Sequence, residues 1–256
     1  MDKPPFLLVH PTKPGEAPTL WKQLRELLAF EIANRGQVSI VNRLDRETSG
    51  LVLVAKTSAA ARRFGLLMQR RRLKKQYLAI VSGWPEWETK VVDAPLDRQG
   101  KHQKSEIWLK RMIHPAGTPA QTEFGVERRF TRLGALGAGA LPTDKFSLIR
   151  AIPRTGRTHQ IRVHLASIDH PIVGDKIYGP DEHLYLRFIE TGWTRELERQ
   201  LLLPRHALHS AKLTIDSEME WDCVLPTDLM RFCIGPESVR GRIYQSGAQR
   251  APLQRQ

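Results

Sequence analysis

The chain has 256 residues, enough for one large domain or two lobes sharing a sheet, and carries 40 lysines and arginines against 27 acidic residues, a net charge of +13. An excess of that size points to a polyanionic partner, because each cation set on a phosphate releases condensed counterions. Two cysteines in no Cys-x-x-Cys pair, and no run of eighteen apolar residues, exclude a disulfide framework, a thiolate zinc site and a membrane-spanning helix.

The start Met1-Asp2-Lys3-Pro4-Pro5 is no signal peptide, so a cytoplasmic protein is expected. Residues 3–18 hold five prolines and predict an extended lead-in, with a short buried or edge strand at Phe6 to Val9. Thr19 caps a predicted helix with Leu20, Leu24, Leu27, Leu28 and Ile32 on one face, ending near Gly36. Val41 to Lys56 then reads as strand, polar turn, strand, the turn closed by Gly50 where a positive φ costs little. Inside the turn Asp45 lies between Arg43 and Arg46, cations that favour an ionised carboxylate. The plainer reading is a charged hairpin in which Asp45 and Ser49 bond only their own turn.

Ser58 starts a second helix, with Ala60, Phe64, Leu67 and Met68 inward, that runs into Arg70-Arg71-Arg72-Leu73-Lys74-Lys75. Such a cluster is a solvated face or, beside a nucleic acid, a rail for phosphates. Strands are predicted at Gln76 to Gly83, at Val91 and Val92, at Gln121 to Phe130 and at Phe146 to Ile152, which Pro153 stops. Between them, Arg98 to Arg111 is a basic segment with His102 and Trp108. Residues 133–143 are Gly/Ala-rich and predict a flexible hairpin loop, without the spacing of a dinucleotide fingerprint.

A second polar concentration runs from Arg154 to Ile168. Gly156 permits a tight turn, and Thr158 can cap a helix whose apolar face is Ile161, Leu165 and Ile168. Arg154, Arg157, His159, Arg162 and His164 crowd its start, where backbone N–H groups also favour anions. His159 and His164 are five apart with no carboxylate beside them, so no metal site is expected. His206 and His209 read as structural. Asp169 to Gly179 is turn-rich and should wrap the site. Helices at 183–191 and 194–203 follow, then strands near Ala207–Ile215 and Trp221–Val224. Residues 1–234 are expected to form one domain, and 235–256 a mobile basic tail.

Both concentrations match one family. Arg43-Leu-Asp-Arg-Glu-Thr-Ser-Gly50 resembles the catalytic motif of the RluA-type pseudouridine synthases, and Arg154-Thr-Gly-Arg-Thr-His-Gln-Ile-Arg162, with Pro171-Ile-Val-Gly-Asp175 and Tyr178-Gly179, resembles its later motif. Lys3-Pro4 with Leu7 to His10, Lys74-Lys75-Gln-Tyr77-Leu-Ala-Ile-Val, and Ala120-Gln-Thr-Glu-Phe resemble three more. The resemblance implies an α+β pseudouridine synthase fold: a long mixed, mostly antiparallel sheet with flanking helices and a basic catalytic cleft. It implies isomerisation of uridine in ribosomal or transfer RNA, with the target base flipped out and no metal or other cofactor. By position it makes Asp45 the catalytic aspartate, sets Tyr77 against the base, pairs Arg162 with Asp45, and sends Arg43 into the gap left by the flipped nucleotide. The RNA would be gripped by Arg43, Arg46, Arg71, Arg72, Lys74, Lys75, Arg154, Arg157 and His159.

The residues suit that chemistry on independent grounds, since an ionised carboxylate beside a guanidinium can act as nucleophile or base. Whether Asp45 would attack C1′ or take a proton from C2′ is left open by the sequence. Asn42 stands where the family often has histidine. The chain starts at the first motif, so a sheet edge that is incomplete or built differently is expected, as is RNA recognition by the catalytic domain and the basic tail. A monomer is expected. The alternative is a non-catalytic RNA-binding or ribosome-assembly protein of the same fold. A metal-dependent nuclease would need an acidic ligand cluster that the sequence lacks.

Overall fold

A computed structural model describes residues 1–11, 18–132, 144–216 and 219–234. The Gly/Ala-rich 133–143 stretch and the basic 235–256 segment lie outside the described residues.

The chain opens with strand β1 (Asp2–Lys3). No strand forms at Phe6 to Val9. Instead the backbone turns back so that the Pro4 and Leu7 carbonyls accept from the buried Lys3 ammonium, and Pro4 and Pro5 cannot donate to a ladder. Thr19 caps α1 (Leu20–Leu27), its hydroxyl accepting from the Lys22 N–H at 3.3 Å. The expected single helix breaks at Leu28 and resumes as α2 (Ala29–Ala33). Leu20 and Leu24 are buried, whereas Leu27 is 75% exposed and does not share their face.

The motif stretch is built as β2 (Ser39–Ile40), a loop, β3 (Ser49–Leu51) and β4 (Val54–Ala55). β2 pairs with β4, and β3 enters the main sheet between the first and penultimate strands. Gly50 therefore does not close the turn. It lies inside β3 at φ 108°, where a Cβ would stand 2.3 Å from the Ser210 carbonyl oxygen. The loop is closed by Asn42 instead, whose side chain donates to Leu51 O (3.1 Å) and accepts from the Leu53 N–H (2.8 Å).

Thr57 caps α3 (Ser58–Gln69), which packs Phe64, Leu67 and Met68 against Leu51, Leu73, Leu213 and Ile215. Arg71 follows at φ 59°, and the Arg72 N–H returns to Leu67 O at 2.8 Å, a Schellman-type stop. β5 (Leu73–Ser82) starts three residues before the predicted strand, so Lys74 and Lys75 stand on it. Next come β6 (Thr89–Asp93), the two-stranded ribbon β7 (Leu96–Arg98) and β8 (Arg111–Ile113), and the long β9 (Gln121–Thr131) and β10 (Lys145–Pro153). Helices α4 (Gln160–Ala166), α5 (His183–Thr191) and α6 (Arg195–Leu201) lead to β11 (Leu208–Ile215), β12 (Met219–Asp222) and α7 (Thr227–Ile234).

Among the described residues the main sheet runs β1-β3-β11-β5-β10-β9-β6, with β12 also on β11. Its pairs are antiparallel except β3 with β11, so the expected mixed, mostly antiparallel α+β fold is what forms. The core lies on the middle strands. Ala79, Ile80, Val81, Phe124, Phe146, Ile149 and Ala151 are buried there, and α7 sets Phe232 edge-on to Phe146 with ring centroids 5.1 Å apart. Because β3, β5 and β11 are neighbours, the loop before β3 opens beside the lower half of β5 and the start of α4.

Candidate active site

The loop 42–48 is held from below by buried polar groups. Lys3 donates to Arg46 O at 3.2 Å as well as to Pro4 and Leu7. Burial, then the charge of Arg205, lowers its pKa to about 8. Glu47 turns inward and accepts from Lys176 Nζ (2.8 Å) and the His206 N–H (3.1 Å). Thr48 bonds His206 at 2.8 Å and Ser49 bonds His209 at 2.9 Å, so both histidines are structural, as expected. Fully buried Arg205 donates to Glu47 O and Ser49 Oγ and pairs with Asp228. Anchored on so many sides, the loop presents Asp45 without having to order it on substrate binding.

Asp45 meets the start of α4. Arg162, 5% exposed, donates from Nη1 to Asp45 Oδ2 at 3.1 Å. Its Nε and Nη2 take both oxygens of buried Asp175, at 2.6 and 2.8 Å. Asp175 in turn accepts the Ile177 and Tyr178 N–H groups at 3.0 Å each. This is a bidentate clamp that leaves one arm of the fork for Asp45. Burial opposes ionisation of Asp175, but Arg162 outweighs it and holds the carboxyl well below its ordinary range. Burial likewise opposes ionisation of Asp45, and its neighbours His159, Arg162 and His206 together outweigh it, holding the carboxyl below its ordinary range. Burial itself lowers His159 to about 3 and His206 to about 4, so both are neutral at pH 7. Arg162 is then the cation that keeps Asp45 ionised.

Helix α4 begins on His159 in the left-handed region (φ 58°), without a side-chain cap; Thr158 does not cap it as the sequence predicts. The reason is local. Gln160 Oε1 accepts from Thr155 Oγ1 and the Arg157 N–H, closing the preceding turn, and the His159 ring swings under Tyr178. Tyr178 OH accepts from the Arg111 N–H at 2.8 Å, so its own proton goes to His159 Nδ1, also at 2.8 Å. That assignment leaves the proton on Nε2, which faces Asp45 Oδ2 at 3.9 Å. His164, by contrast, bonds Thr122 (2.9 Å) and Ala94 O (3.0 Å) and belongs to the packing.

These groups line a cleft of about 320 Å³ with Arg43, Leu44, Lys75, Tyr77, Thr155 to Ile161 and Leu208. Burial and then the Asp45 charge raise the Tyr77 pKa, so its phenol stays protonated and its ring walls the cleft. An adjoining groove is lined by Arg71, Lys74, Lys75, Arg154 and Arg157. Of the expected RNA-contacting residues, Arg43, Lys75, Arg157 and His159 therefore stand in the cleft, and Arg71, Lys74 and Arg154 along the groove. Arg46 is exposed outside both. Arg72, in the turn just before β5, lines neither and pairs with Asp216 at 2.6 Å. Glu47 is committed to Lys176 and His206.

Sequence reasoning passed over Asp175, Tyr178 and Arg205. Asp175 and Tyr178 sat inside a matched motif, but their partners lie 13 and 19 residues upstream, where spacing says nothing of contact. Arg205 carried no signal at all. Among the described residues no group of three or more His, Cys, Asp and Glu side chains is placed to hold a metal ion, and no helix is long and apolar enough to cross a membrane.

A family model described as RNA pseudouridylate synthase matches residues 1–167. A ribosomal large subunit pseudouridine synthase D of Nitrosomonas europaea is 34% identical over 237 residues, covering 90% of this chain and 60% of the relative. Its namesake in Escherichia coli K12 is 34% identical over 246 residues, covering 91% of this chain and 65% of the relative. The chain thus spans under two thirds of the length of these curated relatives. Among solved structures, human RNA pseudouridylate synthase domain containing 1 is similar at a TM-score of 0.59 and 26% identity, covering 81% of this chain and 74% of that one. Human RNA pseudouridylate synthase domain containing 4 shares the fold, with a TM-score of 0.63 at 24% identity, covering 90% of this chain and 85% of that one.

Proposed function

From a chain that belongs to the RNA pseudouridylate synthase family, we propose an enzyme that isomerises specific uridines of ribosomal or transfer RNA to pseudouridine. The likeness to proteins named for the large ribosomal subunit favours ribosomal RNA. The observation that carries the reading is the Asp175–Arg162–Asp45 chain, which holds one ionised carboxylate at the floor of a cation-rimmed cleft. A protein that only bound RNA would need the rim and not the buried Arg162–Asp175 pair beneath it, since burying two charges is costly unless each is matched.

In this reading the target nucleotide leaves its stack and enters the cleft, with Tyr77 against the uracil face. Asp45 acts on the sugar, as nucleophile at C1′ or base at C2′; both roles need the ionised form that Arg162 maintains. The N1–C1′ bond breaks, the base turns, C5 bonds to C1′, the C5 proton is lost and N1 gains one. Nothing is oxidised or consumed, so no cofactor enters. Arg43 on the rim fills the vacated stack, its planar guanidinium stacking on neighbouring bases. Residues 1–234 act as the catalytic domain, with 235–256 as a basic tail, in a cytoplasmic monomer.

The test is pseudouridine mapping on total RNA from cells with and without the gene, and on a large-subunit ribosomal RNA transcript treated with purified protein. Asp45→Asn should reduce conversion to background while RNA affinity stays within a few-fold, because asparagine keeps the shape but neither attacks C1′ nor acts as a base. Near wild-type conversion by that variant would remove Asp45 from the chemistry.

A further inference from the structure

The β7–β8 ribbon carries a charge arrangement that nothing in the site just described uses. Arg98 and Arg111 are direct cross-strand partners. Like charges set opposite one another repel and destabilise a ribbon unless something anionic lies between them. The Nε atoms of both are buried and, among the described residues, have no hydrogen-bond partner. A buried donor left so is unfavourable, and neither guanidinium has a carboxylate partner among the described residues to offset its charge.

The acids nearby are otherwise engaged. Asp97 is taken by Lys101 and His102, on the other face of the ribbon by strand alternation, and Glu182 by Lys110. Between residues 98 and 111 there are five cations and one acid, Glu106. Over Arg98 stands Trp108, 73% exposed, with the Arg98 guanidinium carbon 3.7 Å from its ring centroid. One face of the indole is thus covered by a cation and the rest is open.

The ribbon is anchored. Leu96 and Ile107 are buried with Val163, Ile177 and Tyr178, and Arg98 shares the face of Leu96 by alternation. It is also close to Asp45. The Arg111 N–H bonds Tyr178 OH, which bonds His159, which faces Asp45. We propose that this ribbon is a second RNA-contact surface, in which Arg98 and Arg111 bind a backbone phosphate and Trp108 stacks an unpaired base beside the target nucleotide. An exposed aromatic paired with an arginine suits any base, because every base has a π-face. The proposal rests on the RNA-modifying function given above.

The experiment measures binding of the full chain to a large-subunit ribosomal RNA transcript over a salt series, together with conversion of its uridines. Arg98→Gln with Arg111→Gln should lower the slope of log K against log salt by about 0.7–0.9, the value for one phosphate contact. Trp108→Ala should weaken binding about tenfold with little change of slope, as loss of one stacked base does, and Trp108→Phe should restore most of it. The indole is exposed, so this arm is informative even if the arginine double variant unfolds.

Wild-type binding and conversion with an unchanged slope in the folded double variant, or unchanged affinity in Trp108→Ala, overturns the surface alone, and would turn attention to an acidic protein as its partner. Wild-type protein that neither binds nor converts the transcript overturns the surface and the proposed function together.

Discussion

At Arg162 one guanidinium serves two carboxylates, and its two bonds to Asp175 fix the orientation of the third, to Asp45. Lysine has charge but no fork, and reaches one partner at a time. Arg162→Lys should therefore cost more activity than stability: conversion falls by at least tenfold, while unfolding free energy drops by about 1–2 kcal/mol, less than the ~3–5 of breaking a buried pair outright. The sign of the pH effect follows. Arg162 lowers the Asp45 pKa, so weakening it lets that pKa rise, and the acid limb of the activity profile moves to higher pH. An unmoved acid limb would show that Arg162 does not govern Asp45.

His159 allows a cleaner test of hydrogen-bond logic. Tyr178 holds the imidazole with its proton on Nε2, toward Asp45. In Tyr178→Phe that preference is lost, so the imidazole 15N shifts should move toward a mixture of the two neutral tautomers. The wild-type ring should show a single tautomer, uncharged down to about pH 4, given its pKa near 3.

At the scale of elements, the decisive join is β3 with β11. It is the parallel pair in an otherwise antiparallel sheet, and it puts the Asp45 loop beside the residues that follow α6. Gly50 makes it possible, since Ser210 approaches to a distance no Cβ tolerates and the backbone is at φ 108°. Gly50→Ala should destabilise by about 3 kcal/mol or more, from positive φ plus steric displacement of the neighbouring strand. Equilibrium denaturation measures it, and a loss under about 1 kcal/mol would mean the strands part easily.

Across the whole molecule the excess of cations is not spread evenly in effect. Arg71, Lys74 and Arg157 line the cleft and groove, whereas Arg72 is spent on Asp216. Neutralising the first three together should flatten the salt slope of RNA binding by about 2, at roughly 0.7–0.9 per phosphate, while Arg72→Gln leaves it almost unchanged. Equal effects from both would place the RNA path across the α3–β5 turn instead.

What the sequence determined by itself was local. Periodicity and capping residues placed α1, α3, α5 and the long strands, and the resemblance of the 43–50, 74–81 and 154–162 stretches to one family implied Asp45, Tyr77 and Arg162 as parts of one site. These features depend on residues near one another in the chain, so they survive without a structure. Tertiary structure alone decided the rest. Gly50 looked like a turn residue because its true neighbour, Ser210, is 160 positions away. Thr158 looked like a helix cap because the pull of Tyr178 on His159 is invisible to spacing. Arg72 looked equivalent to Arg71 until the left-handed residue between α3 and β5 sent the two in different directions. Asp175 and Arg205, which hold the site in place, are buried charges, and a buried charge is intelligible only once its partners are known, because burial without them would be too costly to persist.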